Sequence, residues 1–160
     1  MKVKSSDYIA QFLKQYCTDT VFVFTGGAIA HIIDSLPDNN IKYICVQHEQ
    51  TGAMAAEAYS RTTGKIGVSM ATSGPGATNM ITGIAGAWYD CIPSIYITGQ
   101  VRTWELTGND KLLQRGFQEV DIVNMVKSIT KYATTITKID DLRYILEKAL
   151  YMATSGRPGP

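Results

Sequence analysis

Apolar residues along the chain follow two rhythms that take turns. Short β-branched and aromatic runs at 21–24, 42–46, 66–71 and 94–98 each stop at a cluster of small or polar residues. Between them apolar residues recur every three to four positions, the period of a helix with one buried face. Ile9, Phe12, Leu13 and Tyr16 give the first such face, and Ser6 stands where it can cap that helix. The same spacing predicts helices over 28–36, closed by Pro37-Asp38-Asn39-Asn40, and over 49–63. A Gly/Ala-rich helix is expected from the Gly74-Pro75-Gly76 turn to about Tyr89, and a short one over 122–126. The last, over 141–153, carries Leu142, Ile145, Leu146, Ala149 and Leu150 on one face. Residues 99–120 read as polar and irregular, and 132–137 as a fifth strand.

Strands and helices in alternation imply βαβ units. The expected fold class is therefore α/β, with a mostly parallel central sheet flanked by helices on both faces. Three of the runs are nearly all apolar, as strands covered on both sides should be, and Ile44-Cys45-Val46 reads as the end of one of them. Right-handed crossovers bring the carboxyl ends of all the strands to one edge, where such sheets bind ligands. Four strand ends there carry Thr25-Gly26-Gly27, His48-Glu49, residues 72–76 and Gly99-Gln100.

Length and charge narrow the field. The 160 residues suffice for one domain with its own core. Lys and Arg number 15 against 14 Asp and Glu, so the electrostatic footprint of a nucleic-acid or membrane-surface binder is missing. Cys17, Cys45 and Cys91 are odd in number and widely spaced, and His31 and His48 complete no metal-ligand pattern. They read as reduced, buried thiols of a cytoplasmic protein. The first sixteen residues are too polar for a signal peptide, and no apolar run approaches the roughly 20 residues of a membrane span.

Taken singly, the candidate groups have plain structural readings. Glu49 in the first turn of a helix is favoured by the macrodipole. His48 suits a loop. Residues 74–79, Gly-Pro-Gly-Ala-Thr-Asn, offer bare backbone at a helix start, but Asn79 stands where a dinucleotide fingerprint has its third glycine, and no G-x-x-x-x-G-K-[ST] occurs. Pro75 and the glycines instead make a rigid, flat turn. The small residues of Ala53-Met54-Ala55-Ala56 and Gly83-Ile84-Ala85-Gly86-Ala87 suit close packing, on the sheet or across a subunit interface.

Together the motifs resemble a known family. "FTGGA", "HEQTGAMAAEAYSRTTGKIGV", "TSGPGATNMITGIAGAWYDCIPSIYITGQV", "GFQEVDIV" and "GRPGP" are similar, in order and spacing, to thiamine diphosphate enzymes of the acetolactate synthase group. The resemblance lies in the N-terminal domain, which in that family binds the cofactor's pyrimidine ring. It implies that Glu49 hydrogen-bonds the pyrimidine N1′, and so favours the tautomer that removes the thiazolium C2 proton. It implies cofactor-binding roles for Gly26, Gly27, Glu49, Thr72, Pro75, Asn79 and Gln100. Phe117 and Gln118 match a pair on the substrate side, Gln118 as a catalytic residue beside Glu49. The substrate class implied is a 2-oxo acid, decarboxylated or joined to a second carbonyl compound.

Some positions depart from the family. Val23 and Thr25 replace a common glycine and proline, Arg102 replaces a proline, and "WELTGNDKLLQRG" replaces a shorter run. All fall on the substrate side, so another 2-oxo acid or acceptor fits as well as acetolactate formation. Residues 1–160 are expected to be the N-terminal domain of a longer enzyme. The family's middle domain binds FAD in true acetolactate synthases, and its diphosphate-binding domain holds Mg2+ with a G-D-G…N-N motif that is absent here. The isolated chain is accordingly expected to be inactive, and to form a homodimer or higher homo-oligomer. A non-catalytic assembly domain of the same fold and a nucleotide-binding α/β module are the alternatives. The pairing of Glu49 with Gln118 argues against the former.

Overall fold

A computed structural model describes residues 3–108 and 112–160. Four strands form one sheet: β1 (Thr20–Val23), β2 (Lys42–Cys45), β3 (Gly67–Ala71) and β4 (Ser94–Thr98), in the order β2-β1-β3-β4 and all parallel. The helices are α1 (Ser5–Tyr16), α2 (Ala30–Asp38), α3 (Glu49–Thr63), the short α4 (Pro75–Thr78), α5 (Ile81–Tyr89), α6 (Ile122–Val126) and α7 (Leu142–Thr154).

Alternation along the central strands sorts the core into two layers. Val21, Val23, Val68, Met70 and Ile95 face α1, α2 and α7, meeting Ala10, Leu13, Leu36, Leu142 and Leu146. On the other face Ala71 packs with Ala53, Met80, Ile84 and Val126 of α3, the α4–α5 junction, α5 and α6. Helices thus cover both faces. The chain steps from β1 to β2 in one direction and from β2 back over β1 to β3 in the other. A right-handed crossover therefore puts α2 and α3 on opposite sides.

Several expectations from the sequence need correction. β2 is not buried: all four of its residues are exposed, at one outer edge of the sheet. Residues 132–137 form no strand; among the described residues they lie in irregular, largely exposed chain. An apolar groove of about 410 Å³, lined by Ile95, Ile97, Tyr132, Ile136, Leu146 and others, runs between this segment and β4. Ser6 does not cap α1. Lys4 takes the cap position, and buried Ser6 instead accepts a hydrogen bond from Ser35 Oγ at 2.9 Å, tying α1 to α2. Pro37 lies inside the last turn of α2 rather than beyond it. The Gly/Ala helix is broken in two at Asn79-Met80. Of the cysteines only Cys17 is buried, which pushes its thiol up to about 12; Cys45 is exposed on β2 and Cys91 is half-buried.

The small residues of α3 and α5 pack these helices together within the chain. A Cβ added at Gly83 would come within 3.0 Å of the Ala53 carbonyl carbon. Among the described residues no helix is long and apolar enough to cross a membrane.

Candidate functional site

The order β2-β1-β3-β4 makes a topological switch between β1 and β3, and the loops that leave their carboxyl ends diverge there. Gly26 follows β1, Thr72 follows β3, and they meet in this crevice. The backbone at Gly26 is extended, with φ −174°, so it is the close approach that demands glycine. A Cβ there would lie 2.8 Å from Thr72 Oγ1 and 2.9 Å from its Cγ2. Gly27 opens the following 3-10 turn with free space around it.

Next along the edge, the junction from β2 to α3 presents His48 and Glu49. The imidazole is the helix cap: His48 Nδ1 accepts the Gln50 N–H at 3.2 Å. Glu49 occupies the first turn, where the helix dipole favours its charge, yet it is only 6% exposed. Its Oε2 accepts a hydrogen bond from Asn79 Nδ2 at 2.9 Å. No other donor among the described residues reaches this carboxylate. Oε1 points to Gly76, where an added Cβ would sit at 3.4 Å.

The turn after β3 forms the floor between these groups. Pro75 is the exposed first residue of α4, and its fixed φ suits that place. Gly74 has φ +62° and ψ −123°, which only glycine tolerates, and it is pressed against Gln118. A Cβ at Gly74 would lie 2.5 Å from the Gln118 carbonyl oxygen. Gln118 is itself left-handed, with φ +58°, and half-buried. Phe117 beside it is 84% exposed.

Gln100 is occupied with backbone. Its Nε2 donates to Val120 O and its Oε1 accepts from Val101 N, both at 2.9 Å, so it fastens the chain after β4 to the chain after Gln118. The structure thus brings Gly26, Thr72, Glu49, Pro75, Asn79 and Gln118 to one edge, with Gly27 and Phe117 on its margin. Gln100 lies behind, as a brace.

One group at this edge has no signature in the sequence. Glu119 accepts from the Thr107 N–H, from Thr107 Oγ1 at 2.5 Å, and from Arg115 N and Gly116 N at 3.1 and 3.4 Å. Thr107 and Glu119 stand twelve positions apart across irregular chain, so no periodicity pairs them. Positions 109–111 of the divergent run 104–116 lie outside the described residues. The Thr107 hydroxyl, helped by three backbone N–H groups, holds the Glu119 carboxyl down at about 2, against roughly 4.3 for a free glutamate. A depressed folded-state value means that the contribution to stability is complete above about pH 4.3 and is lost as pH falls towards 2. A side-chain carboxyl NMR titration is expected to give a midpoint for Glu119 of about 2. A midpoint above 4 would show that the four hydrogen bonds do not persist in solution.

Among the described residues, no group of three or more His, Cys, Asp or Glu stands together to hold a metal ion. In comparison with known proteins, the family model described as "Thiamine pyrophosphate enzyme, N-terminal TPP binding domain" matches residues 3–125. Acetolactate synthase 3, chloroplastic, of Brassica napus is 42% identical over 158 residues, which are 98% of this chain and 23% of that protein. Acetolactate synthase isozyme 2 large subunit of Escherichia coli (strain K12) is also 42% identical over 158 residues, covering 99% of this chain and 28% of that protein. The acetolactate synthase large subunit of Parasynechococcus marenigrum is 45% identical over 152 residues, with shares of 92% and 24%. The chain spans about a quarter of the length of these curated relatives.

Proposed function

The chain belongs to the thiamine pyrophosphate enzymes, whose N-terminal TPP binding domain it matches, and on that premise we propose that it holds the pyrimidine ring of thiamine diphosphate and activates it through Glu49. The observation that carries this reading is a nearly buried carboxylate whose Oε2 is fixed by Asn79 and whose Oε1 meets no donor among the described residues. A carboxylate so far out of water calls for a further hydrogen-bonding partner. The floor beside it, Gly74-Pro75-Gly76, has little side-chain bulk and admits a flat ring. These residues therefore fit the ring end of the cofactor.

Bound thiamine diphosphate supplies the nucleophilic carbon and the electron sink for decarboxylating a 2-oxo acid. This chain's own part is to place and share a proton. Glu49 Oε1 holds a proton against the ring nitrogen N1′, while Asn79 keeps the carboxylate from rotating away. Gly26, Gly27 and Thr72 bound the crevice at the switch point, and Phe117 and Gln118 stand towards the 2-oxo acid.

We assign Mg2+, the diphosphate contacts and any FAD to other domains of a longer acetolactate synthase-like enzyme. The small share of the relatives' length that the chain spans supports this. Exposed Met54 on α3 and Tyr89 at the end of α5 support a homo-oligomeric assembly through these helices. Three free thiols suit a reducing compartment such as the cytoplasm.

Calorimetric titration of this chain with thiamine diphosphate and magnesium tests the reading. With only the ring end of the site present, the expected affinity is roughly millimolar, about 4 kcal/mol, and neither NAD nor ATP should bind better. Tighter binding of either nucleotide would replace the proposal with a nucleotide-binding module.

A further inference from the structure

We propose that Glu119 is a positioning residue: its carboxylate ties Thr107 to Arg115 and Gly116 and thereby sets Gln118 against Gly74. The inference deepens the functional reading above and rests on it.

Thr107 follows the 3-10 turn Thr103–Glu105, and Arg115 and Gly116 precede Phe117 and Gln118. Thr107 donates twice to Glu119, and Arg115 and Gly116 donate once each. Gln114 Nε2 adds a bond to the Glu119 carbonyl oxygen at 3.0 Å. One step on, Gln100 grips Val120. Gly116 is seated so closely on Val101 that a Cβ would lie 2.7 Å from its Cγ1. Gln118 therefore sits between fixed points on both sides, and its left-handed backbone rests against Gly74.

The clamp requires a carboxylate. All four of its donors converge on two oxygens that can accept them all. An amide would turn an NH2 group towards backbone N–H donors. Hydrogen bonds to an ionised acceptor are also roughly twice as strong as neutral ones. Since these donors occupy both oxygens, Glu119 acts through its neighbours rather than on a ligand.

The test uses the full-length enzyme that carries this domain, with thiamine diphosphate, magnesium and pyruvate. Three quantities are read: KM for pyruvate, kcat, and hydrogen exchange at C2 of the bound cofactor, which reports on Glu49. Glu119→Gln is expected to raise KM about tenfold, as misplaced binding groups do, with kcat changed much less. C2 exchange should stay within about twofold of wild type, because the Glu49–Asn79 pair is untouched. Thr107→Val, which removes one of the four donors, should raise KM about threefold. Thr107→Ser, which keeps the hydroxyl, should match wild type. Thr107→Val carries the test should Glu119→Gln fail to fold.

An unaltered KM in both variants overturns the inference while leaving the functional reading intact. So does a loss of C2 exchange in step with KM, which would mark general damage. A wild-type enzyme without thiamine diphosphate-dependent exchange overturns the functional reading, and this inference with it.

Discussion

In the full-length enzyme, Glu49→Gln is expected to slow C2 proton exchange of the bound cofactor by roughly 10²–10⁴-fold, the range for a positioned acid–base group. The amide keeps the size of the side chain, and its oxygen can still take the Asn79 hydrogen bond at Oε2. The other position then carries NH2, a donor that cannot share a proton with a ring nitrogen. Cofactor affinity should change far less, since most of it is assigned to charge-assisted contacts with the diphosphate outside this domain. Quenched-flow exchange followed by NMR gives the rate directly. Exchange at the wild-type rate in this variant would sink the role given to Glu49.

Gly74→Ala is expected to lower the stability of the domain by about 4 kcal/mol, combining roughly 1–3 kcal/mol of backbone strain with a similar cost of overpacking. At φ +62° and ψ −123° any side chain is strained, and the new Cβ would meet Gln118 O at 2.5 Å and Gln118 Cβ at 2.7 Å. Moving Gln118 away would relieve the contact but displace the residue proposed to face the 2-oxo acid. Gly27→Ala is the matched control, because nothing lies within 4 Å of a Cβ there. Urea unfolding of the two variants decides the matter. Equal midpoints would show that the turn after β3 can rearrange freely.

The residues told more about local structure than about partners. Glu49–Thr63, Ser94–Thr98 and Ile122–Val126 are the elements that the periodicity predicts, because their boundaries are set locally. The alternation of strands and helices was enough to place the strand ends on one edge, since chirality dictates it. β2 misled because apolar composition signals a strand but not its place in the sheet, and an outer strand can be apolar and exposed. Residues 132–137 misled because a strand is defined by its partner, and a groove separates this segment from β4.

The edge divides in the same way. Glu49 could be picked out by its position after a strand, and the flat turn at 74–76 by its composition. Their mutual contacts could not be, since Gly74 against Gln118 and Thr72 against Gly26 join residues far apart in the chain. Asn79 illustrates the limit. As a letter it only spoils a dinucleotide fingerprint, whereas in three dimensions it fixes the orientation of the carboxylate. Gln100 is the converse, a polar residue at a strand end whose amide is engaged by backbone.

The seating of Thr72 between Gly26 and Gly76 has an evolutionary consequence. A floor built from backbone in contact with backbone or with a short side chain has little freedom to drift, because almost any added atom collides. On the neighbouring rim Trp104, Leu113 and Phe117 project into solvent, where a change of side chain meets no such collision. Under the proposed function, selection can rewrite the rim, and with it the choice of 2-oxo acid, while the proton-handling floor is inherited unchanged. Such a domain can diversify in substrate without relearning its chemistry.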